Sequence, residues 1–179
     1  MKKNNGQVSS PSIFMIRKAR ITEAGLLTDI SFASKRYWHY PDEYLLIWKD
    51  ELTITTNYIE NNDVWVIEDN GRVVGYYSII FLKKPLECAQ VILERGFWLE
   101  HMFLVPQAIG QGIGRVLFEH IVNCCMQNQI ATLRILADPH AKGFYEKMGC
   151  TYQKDIPSTI AGRSTPLLLL RSALIKSIG

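Results

Sequence analysis

The chain has 179 residues, 47% hydrophobic and 21% charged, the proportions of an ordinary globular protein long enough to bury one full core. Its formal net charge of +3 is too small to argue for a nucleic-acid partner and at most favours an anionic ligand. No apolar run approaches the roughly 20 residues of a membrane span, and the opening "MKKNNGQVSSPS" lacks the apolar stretch of a signal peptide.

Residues 1–11 read as a loose polar tail and 12–179 as one domain in the cytoplasm. "IFMIRKAR" (13–20) predicts a short strand. Leu26, Leu27, Ile30 and Ala33 then carry helical spacing to about Arg36. In "YWHYPDEYLLIWKDEL" (37–52), Pro41-Asp42-Glu43 opens a second helix with acids in its first turn, amid Tyr37, Trp38, Tyr40, Tyr44 and Trp48. "VWVIEDNGRVVGYYSIIFL" (64–82) is a hairpin: two β-branched runs flank Asn70-Gly71, the strongest short turn signal. A connection containing Lys83-Lys84-Pro85 leads to a third long strand ending at Val105. A helix from Gly112 to about Gln127 follows, with Ile113, Val116, Leu117, Ile121 and Val122 on its buried stripe. "ATLRILAD" (131–138) predicts a strand and "PHAKGFYEKMG" (139–149) a short helix closed by Gly149. "CTYQK" (150–154) and "TPLLLLRSAL" (165–174) are the last strands, which makes a mixed α/β sheet. Cys88, Cys124, Cys125 and Cys150 include no C-x-x-C pair, so free thiols are expected rather than a metal site or disulfides.

The informative stretch is "LEHMFLVPQAIGQGIGRVLFEH" (99–120), in which Gly110, Gly112 and Gly114 alternate between a strand and a helix. Each glycine lets the backbone approach a ligand and adopt positive φ, and the amides of a helix N-terminus favour an anion, naturally a phosphate. The competing reading is a tight connection with small residues for packing. Gly114 is followed by Arg115-Val116 rather than Lys-Ser/Thr, which excludes a Walker loop. Arg115 also takes the place of the third glycine of a dinucleotide fingerprint; Asp138 mimics that fold's ribose-binding acid, but three or four strands precede the turn, so this reading ranks second.

Two stretches together resemble the GNAT superfamily of acetyl-CoA-dependent N-acetyltransferases. "QAIGQG" (107–112) is similar to the family's Arg/Gln-x-x-Gly-x-Gly/Ala turn after the fourth strand, although in the commoner register Ile109 replaces the Arg or Gln. "DPHAKGFYEKMG" (138–149) resembles Asn-x-x-Ala-x-x-Phe-Tyr-Glu-Lys-x-Gly, with Asp138 in place of the Asn. The resemblance implies a mostly antiparallel sheet of six to seven strands, helices on both faces, and splayed fourth and fifth strands that admit the pantetheine arm of coenzyme A. It implies backbone contacts from Met102, Phe103, Leu104 and Val105 to pantetheine. The turn Ile109, Gly110, Gln111, Gly112, Ile113, Gly114 and Arg115 would cradle the pyrophosphate, and Asp138, Phe144, Tyr145 and Lys147 would stand beside the cofactor. The implied partner is a small-molecule or peptide amine, with no nucleic acid and no membrane; a homodimer is allowed.

The reaction implied is acyl transfer from a thioester to an amine. An alkylamine of pKa near 10.4 needs about 4.6 kcal/mol to present its neutral form at pH 7, so a base is useful. Glu100, six residues before Pro106, holds the family's position for that base and ranks first. His101 ranks second and, on a regular strand, points to the opposite face. Tyr145 holds the family's general-acid position for the departing thiolate. The structural alternatives are an ion-paired Glu100, an ordinary buried His101 and a core Tyr145 beside Phe144. The acceptor is expected among Tyr37, Trp38 and Tyr40 and their neighbours to Trp48, with help from "PSTIAGRST" (157–165) and Glu100. A protein of another class, an acyl-CoA sensor, would keep the glycine turn without needing Glu100 or Tyr145.

Overall fold

A computed structural model describes residues 14–88 and 91–171, so Ile13, the tail, and the predicted last strand beyond Arg171 lie outside the described residues. β1 (Phe14–Lys18) is followed by helix α1 (Ala24–Tyr37). The expected second helix is two, α2 (Asp42–Ile47) and α3 (Lys49–Leu52), and a further short helix that was not expected follows, α4 (Thr56–Asn61). The break after α3 falls on the β-branched run Thr53-Ile54-Thr55, and the Thr55 side chain caps α4 by accepting from the Tyr58 amide.

β2 (Asp63–Asp69) and β3 (Arg72–Leu82) form the expected hairpin, and Asn70 and Gly71 turn it with φ of 48° and 78°. The connection with Lys83-Lys84-Pro85 becomes a small separate hairpin, β4 (Leu86–Cys88) and β5 (Val91–Leu93). β6 (Gly96–Leu104), α5 (Ile113–Gln127), β7 (Thr132–Leu136), α6 (Lys142–Lys147), β8 (Thr151–Pro157) and β9 (Ser164–Arg171) complete the chain. Gly149 closes α6 at φ 88°, its amide donating to the Glu146 carbonyl.

The seven-stranded sheet runs β1-β2-β3-β6-β7-β9-β8, and only β6 and β7 are parallel. A dinucleotide-binding fold needs a parallel doubly wound sheet, so that second reading falls. One face packs on α5 and α6 through Leu117, Phe118, Ile121, Leu133 and Tyr145; the other packs on α1 and α4 through Leu27, Ile30 and Ile59. On α5 the buried stripe is Ile113, Leu117, Phe118, Ile121, Cys124 and Cys125, while Val116 and Val122 are only half-buried. Adjacent Tyr76 and Tyr77 on β3 show the sheet covered on both sides: Tyr76 hydroxyl bonds Ser31 of α1 at 2.6 Å, and Tyr77 hydroxyl bonds His120 of α5 at 2.9 Å. Cys124, Cys125 and Cys150 are free and buried, as expected. Among the described residues no helix is long and apolar enough to cross a membrane.

Two irregularities in β6 open and furnish a cleft beside it. Its parallel ladder with β7 ends at Leu99↔Ile135, although β6 continues to Leu104; from there the two strands diverge. Against β3, Ser78 pairs with His101 and Ile79 with Leu99, so Glu100 is an extra residue, a β-bulge. The bulge inverts the side-chain alternation. Phe97 and Leu99 before it, and Met102 and Leu104 after it, all pack into the core under α5.

Candidate active site

Where β6 and β7 part, a cleft of about 330 Å³ opens between Glu100, Met102 and Phe103 on one wall and Ala137, Asp138 and Tyr145 on the other. The bulge places Glu100 and His101 together rather than on opposite faces, correcting the expectation for a regular strand: Glu100 Oε2 lies 4.0 Å from His101 Nδ1. Tyr58, from α4, joins them. Its hydroxyl donates to Glu100 Oε2 in a short hydrogen bond and lies 2.7 Å from Ser78 Oγ and 3.1 Å from His101 Nδ1.

His101 is 6% exposed. Its Nε2 lies 2.9 Å from the Glu51 carbonyl, which can only accept, so Nε2 carries the proton and Nδ1 is left as an acceptor facing Ser78 Oγ at 2.9 Å. Burial pushes the His101 pKa down, against the pull of Glu100, and pushes the Tyr58 hydroxyl up, with Glu100 adding to it. At neutral pH the cluster holds a neutral imidazole, two protonated hydroxyls on Tyr58 and Ser78, and one carboxylate that reaches the cleft. A histidine whose folded pKa is depressed binds more protons unfolded than folded, so its contribution to stability is complete above about pH 6.5 and declines as the pH falls below that. We expect the Tm to fall between pH 7 and 5 and the slope to shallow in His101→Asn, as measured by differential scanning calorimetry in matched buffers. An unchanged slope would show that His101 keeps an ordinary pKa.

Opposite Glu100, Tyr145 projects from α6 and is 6% exposed; its hydroxyl donates to Met102 Sδ at 3.7 Å across the splay. A thioether is a weak acceptor, so nothing strong holds this hydroxyl. Burial raises its pKa, so it is protonated throughout the physiological range. Its neighbour Phe144 turns the other way, against Gly114: a Cβ there would stand 3.6 Å from the Phe144 ring.

The three alternate glycines therefore have different duties. Gly114 fits the packing reading, while Gly110 and Gly112 carry φ of 79° and 81° with open space where a side chain would begin. Gly112 caps α5 from the left-handed region; its carbonyl takes the Arg115 and Val116 amides, and the Ile113 and Gly114 amides precede that first helical bond. Of the other cradle residues, Gln111 and Arg115 are exposed, Ile109 is half-buried, and Ile113 is buried in the core, so Ile113 has only backbone to offer. The Arg115 side chain pairs with Glu119 at 2.9 Å, one turn on. Met102, Phe103, Leu104 and Val105 are half-buried along the edge of β6 that β7 abandons, and the Val105 amide is committed to the Val74 carbonyl. Lys147 is exposed at the end of α6.

The aromatics expected at the acceptor divide around the cleft. α1 ends at Tyr37 and the chain turns through His39 at φ 55°, which leaves Tyr37 exposed and Trp38 stacked on His140 at 4.7 Å. Neither lines the cleft, and Tyr40 stands behind its wall; of the aromatics from Tyr37 to Trp48 it is Trp48 that lines it, with Ser158, Thr159 and Arg163 from the loop before β9. Tyr40 Oη donates to Asp138 Oδ1 at 2.7 Å and accepts from Arg163 at 2.7 Å. Asp138, expected beside the cofactor, lines the cleft and binds Lys35 at 2.8 Å, with Arg163 3.7 Å away. Burial pushes the Asp138 carboxyl up, and Lys35 with the Tyr40 hydroxyl more than reverses this, so it stays ionised. Sequence reasoning missed Tyr58, Ser78, Lys35 and Glu51, none of which carries a local signal.

The same architecture occurs in known proteins. Residues 60–150 match the family model of the acetyltransferase (GNAT) domain. The chain is 27% identical over 108 residues to the peptidyl-lysine N-acetyltransferase YiaC of Escherichia coli, covering 60% of this chain and 64% of that relative's length. Among solved structures it resembles the PaiA N-acetyltransferase of Thermoplasma acidophilum in complex with coenzyme A, at a TM-score of 0.67 and 14% identity over 89% of this chain and 99% of that one. It also resembles YncA of Salmonella typhimurium with its cofactor acetyl-CoA, at a TM-score of 0.57 and 17% identity over 89% and 94% of the two chains. With a family match over half the sequence and the parted strands and glycine turn in place, the chain belongs to the GNAT acetyltransferase superfamily.

Proposed function

We propose that this protein transfers an acetyl group from acetyl-CoA to a primary amine by direct attack, with Glu100 as base and Tyr145 as acid. The observation that carries the reading is their placement on facing walls of the cleft between β6 and β7. Acetyl-CoA supplies an acyl group already activated as a thioester. The freed edge of β6 suits pantetheine, which would add to it as a short strand, and the amides around Gly110 and Gly112 suit its pyrophosphate. Glu100 takes the proton of the incoming ammonium, directly or through water, which offsets part of the about 4.6 kcal/mol needed to present a neutral amine at pH 7. Tyr58 is a positioning residue: its hydroxyl bond holds the Glu100 carboxylate against the bulge. Tyr145 gives its proton, or a strong hydrogen bond, to the departing sulfur.

Calorimetric titration with acetyl-CoA and thermal shift with acetyl-CoA, NAD and ATP test the cofactor. Acetyl-CoA should bind and raise the Tm, and NAD and ATP should not; a shift with NAD alone would overturn the reading. Thiol release that depends on added amine separates the enzyme from a sensor that only binds. Gly112→Val is expected to weaken acetyl-CoA binding at least tenfold. Its side chain enters the open space over the helix N-terminus, and a β-branched residue at φ 81° costs at least the roughly 1–2 kcal/mol of a left-handed residue. A folded variant with wild-type affinity would show that the turn serves packing alone.

A further inference from the structure

Apart from the base and the acid, the cleft contains a charge arrangement that acetyl transfer does not explain. Lys35 and Arg163 both converge on the single carboxylate of Asp138, with side chains only 15%, 16% and 13% exposed respectively. Two largely buried cations on one anion exceed by one the charge that Asp138 can neutralise, and arginine cannot shed its charge. The geometry of Arg163 is that of a partly used fork. Its guanidinium lies 4.5 Å from the Tyr40 ring centroid and 4.7 Å from that of Trp48, and Nη2 donates to Tyr40 at 2.7 Å. No side-chain nitrogen among the described residues is both buried and without a partner, and Arg163 lines the cleft. Any donor it does not use for Tyr40 is therefore solvent-accessible, on a side chain that lines the cleft, with Lys35 beside it 4.8 Å from the same Trp48 ring. Glu51 and Glu100 line the same cleft, so carboxylates and spare cationic donors face one ligand.

We infer that the acceptor is an amine that also carries a carboxylate, with the amine at Glu100 and the carboxylate on the free edge of Arg163 beside Lys35. A planar guanidinium matches a carboxylate with two parallel hydrogen bonds, and the Tyr40 and Trp48 rings packed beside it restrain its position. The inference rests on the acetyl-transfer reading. Phosphate of the cofactor is the other anion available, but Arg163 and Lys35 stand with Trp48 and α1, whereas the phosphate-binding amides belong to the N-terminus of α5.

The test uses glycine, β-alanine, 4-aminobutanoate and L-phenylalanine, each beside its own amide, together with a lysine peptide blocked at both ends. Amino-acid amides are less basic and hold more free amine at neutral pH, so a preference for the acids runs against amine basicity. At least one acid should be acetylated about 10–100-fold more efficiently in kcat/KM than its amide, the loss expected for a charge-assisted pair. Arg163→Gln should cut that ratio to within about threefold through KM, Arg163→Lys should restore part of it, and acetyl-CoA affinity should hold. Acids and amides acetylated alike by the wild-type chain, or transfer to the lysine peptide alone, would overturn the inference and leave acetyl transfer standing. A tenfold loss of acetyl-CoA affinity in Arg163→Gln with the acid preference intact would assign the arginine to the cofactor. No transfer to any amine would remove both readings. If Arg163→Gln fails to fold, the wild-type panel decides by itself.

Discussion

Replacing Tyr145 by phenylalanine should lower kcat for acetyl transfer at least tenfold while acetyl-CoA affinity and Tm barely move. The substitution removes one oxygen and keeps the ring that packs against Phe118 and Phe144. The only bond lost in the resting protein is the 3.7 Å contact to Met102 Sδ, which contributes little to stability. General acid catalysis is worth about 10²–10⁴-fold, or roughly 3–5 kcal/mol of barrier, and all of it acts on the departing thiolate. Burial makes this hydroxyl a weaker acid than free tyrosine, so hydrogen-bond donation to a sulfur that gathers charge is a large part of its work. Steady-state kinetics across pH 6–9 with calorimetric binding checks this. A wild-type rate throughout would return Tyr145 to the core.

Glu100→Gln should produce the second large loss, and a pH-dependent one. The amide keeps the shape and still accepts from Tyr58, but it takes no proton. At pH 6–7, where nearly all of an alkylamine is protonated, kcat/KM should fall on the order of 100-fold. Toward pH 10 the amine is neutral unaided and the deficit should close. A deficit constant with pH would mean that Glu100 binds the acceptor without acting as base. If the variant matched wild type at low pH, the proton would have to leave by water or another group. His101 is poorly placed to substitute: it is buried, its Nε2–H is engaged by the Glu51 carbonyl, and its pKa is depressed.

How much of the fold and the site was legible in the sequence depends on how local each signal is. The Asn70-Gly71 hairpin, the glycine turn and the Gly149 cap are written in adjacent residues, because positive φ is a property of single positions. The tyrosine helix was likewise readable within one short stretch. The bulge at Glu100 was not: whether one strand carries an extra residue is decided by its partner, here Ser78 and Ile79 of β3. Nor was the cluster around it, since Tyr58 lies 42 residues from Glu100 and 43 from His101. The Asp138 network joins Lys35 over 103 residues and Arg163 to Tyr40 over 123. Aromatic density around residue 40 marks a stretch beside the cleft, but a helix end and one turn at His39 decide which of its rings line that cleft, and Trp48 is the one that does. The second helix is broken at Trp48 into α2 and α3 amid good helix formers, and α4, beyond the β-branched run Thr53-Ile54-Thr55, was not read from the sequence.

The bulge also bears on how such a cleft can change over generations. A residue with no partner across the strand escapes the pairing demands that constrain its neighbours. Exchanging the side chain at position 100 alters what the cleft does to an amine and leaves the register of β6 alone. Deleting the residue would remove the bulge, because Ser78 and Ile79 already pair with His101 and Leu99; Leu99, Met102 and Leu104 would keep the core face, and what would go is the carboxylate itself. Point mutation therefore changes the group at this position and deletion abolishes it, and in neither case does the core face of β6 change. The proton-handling group can be rewritten one codon at a time on a sheet that does not register the difference.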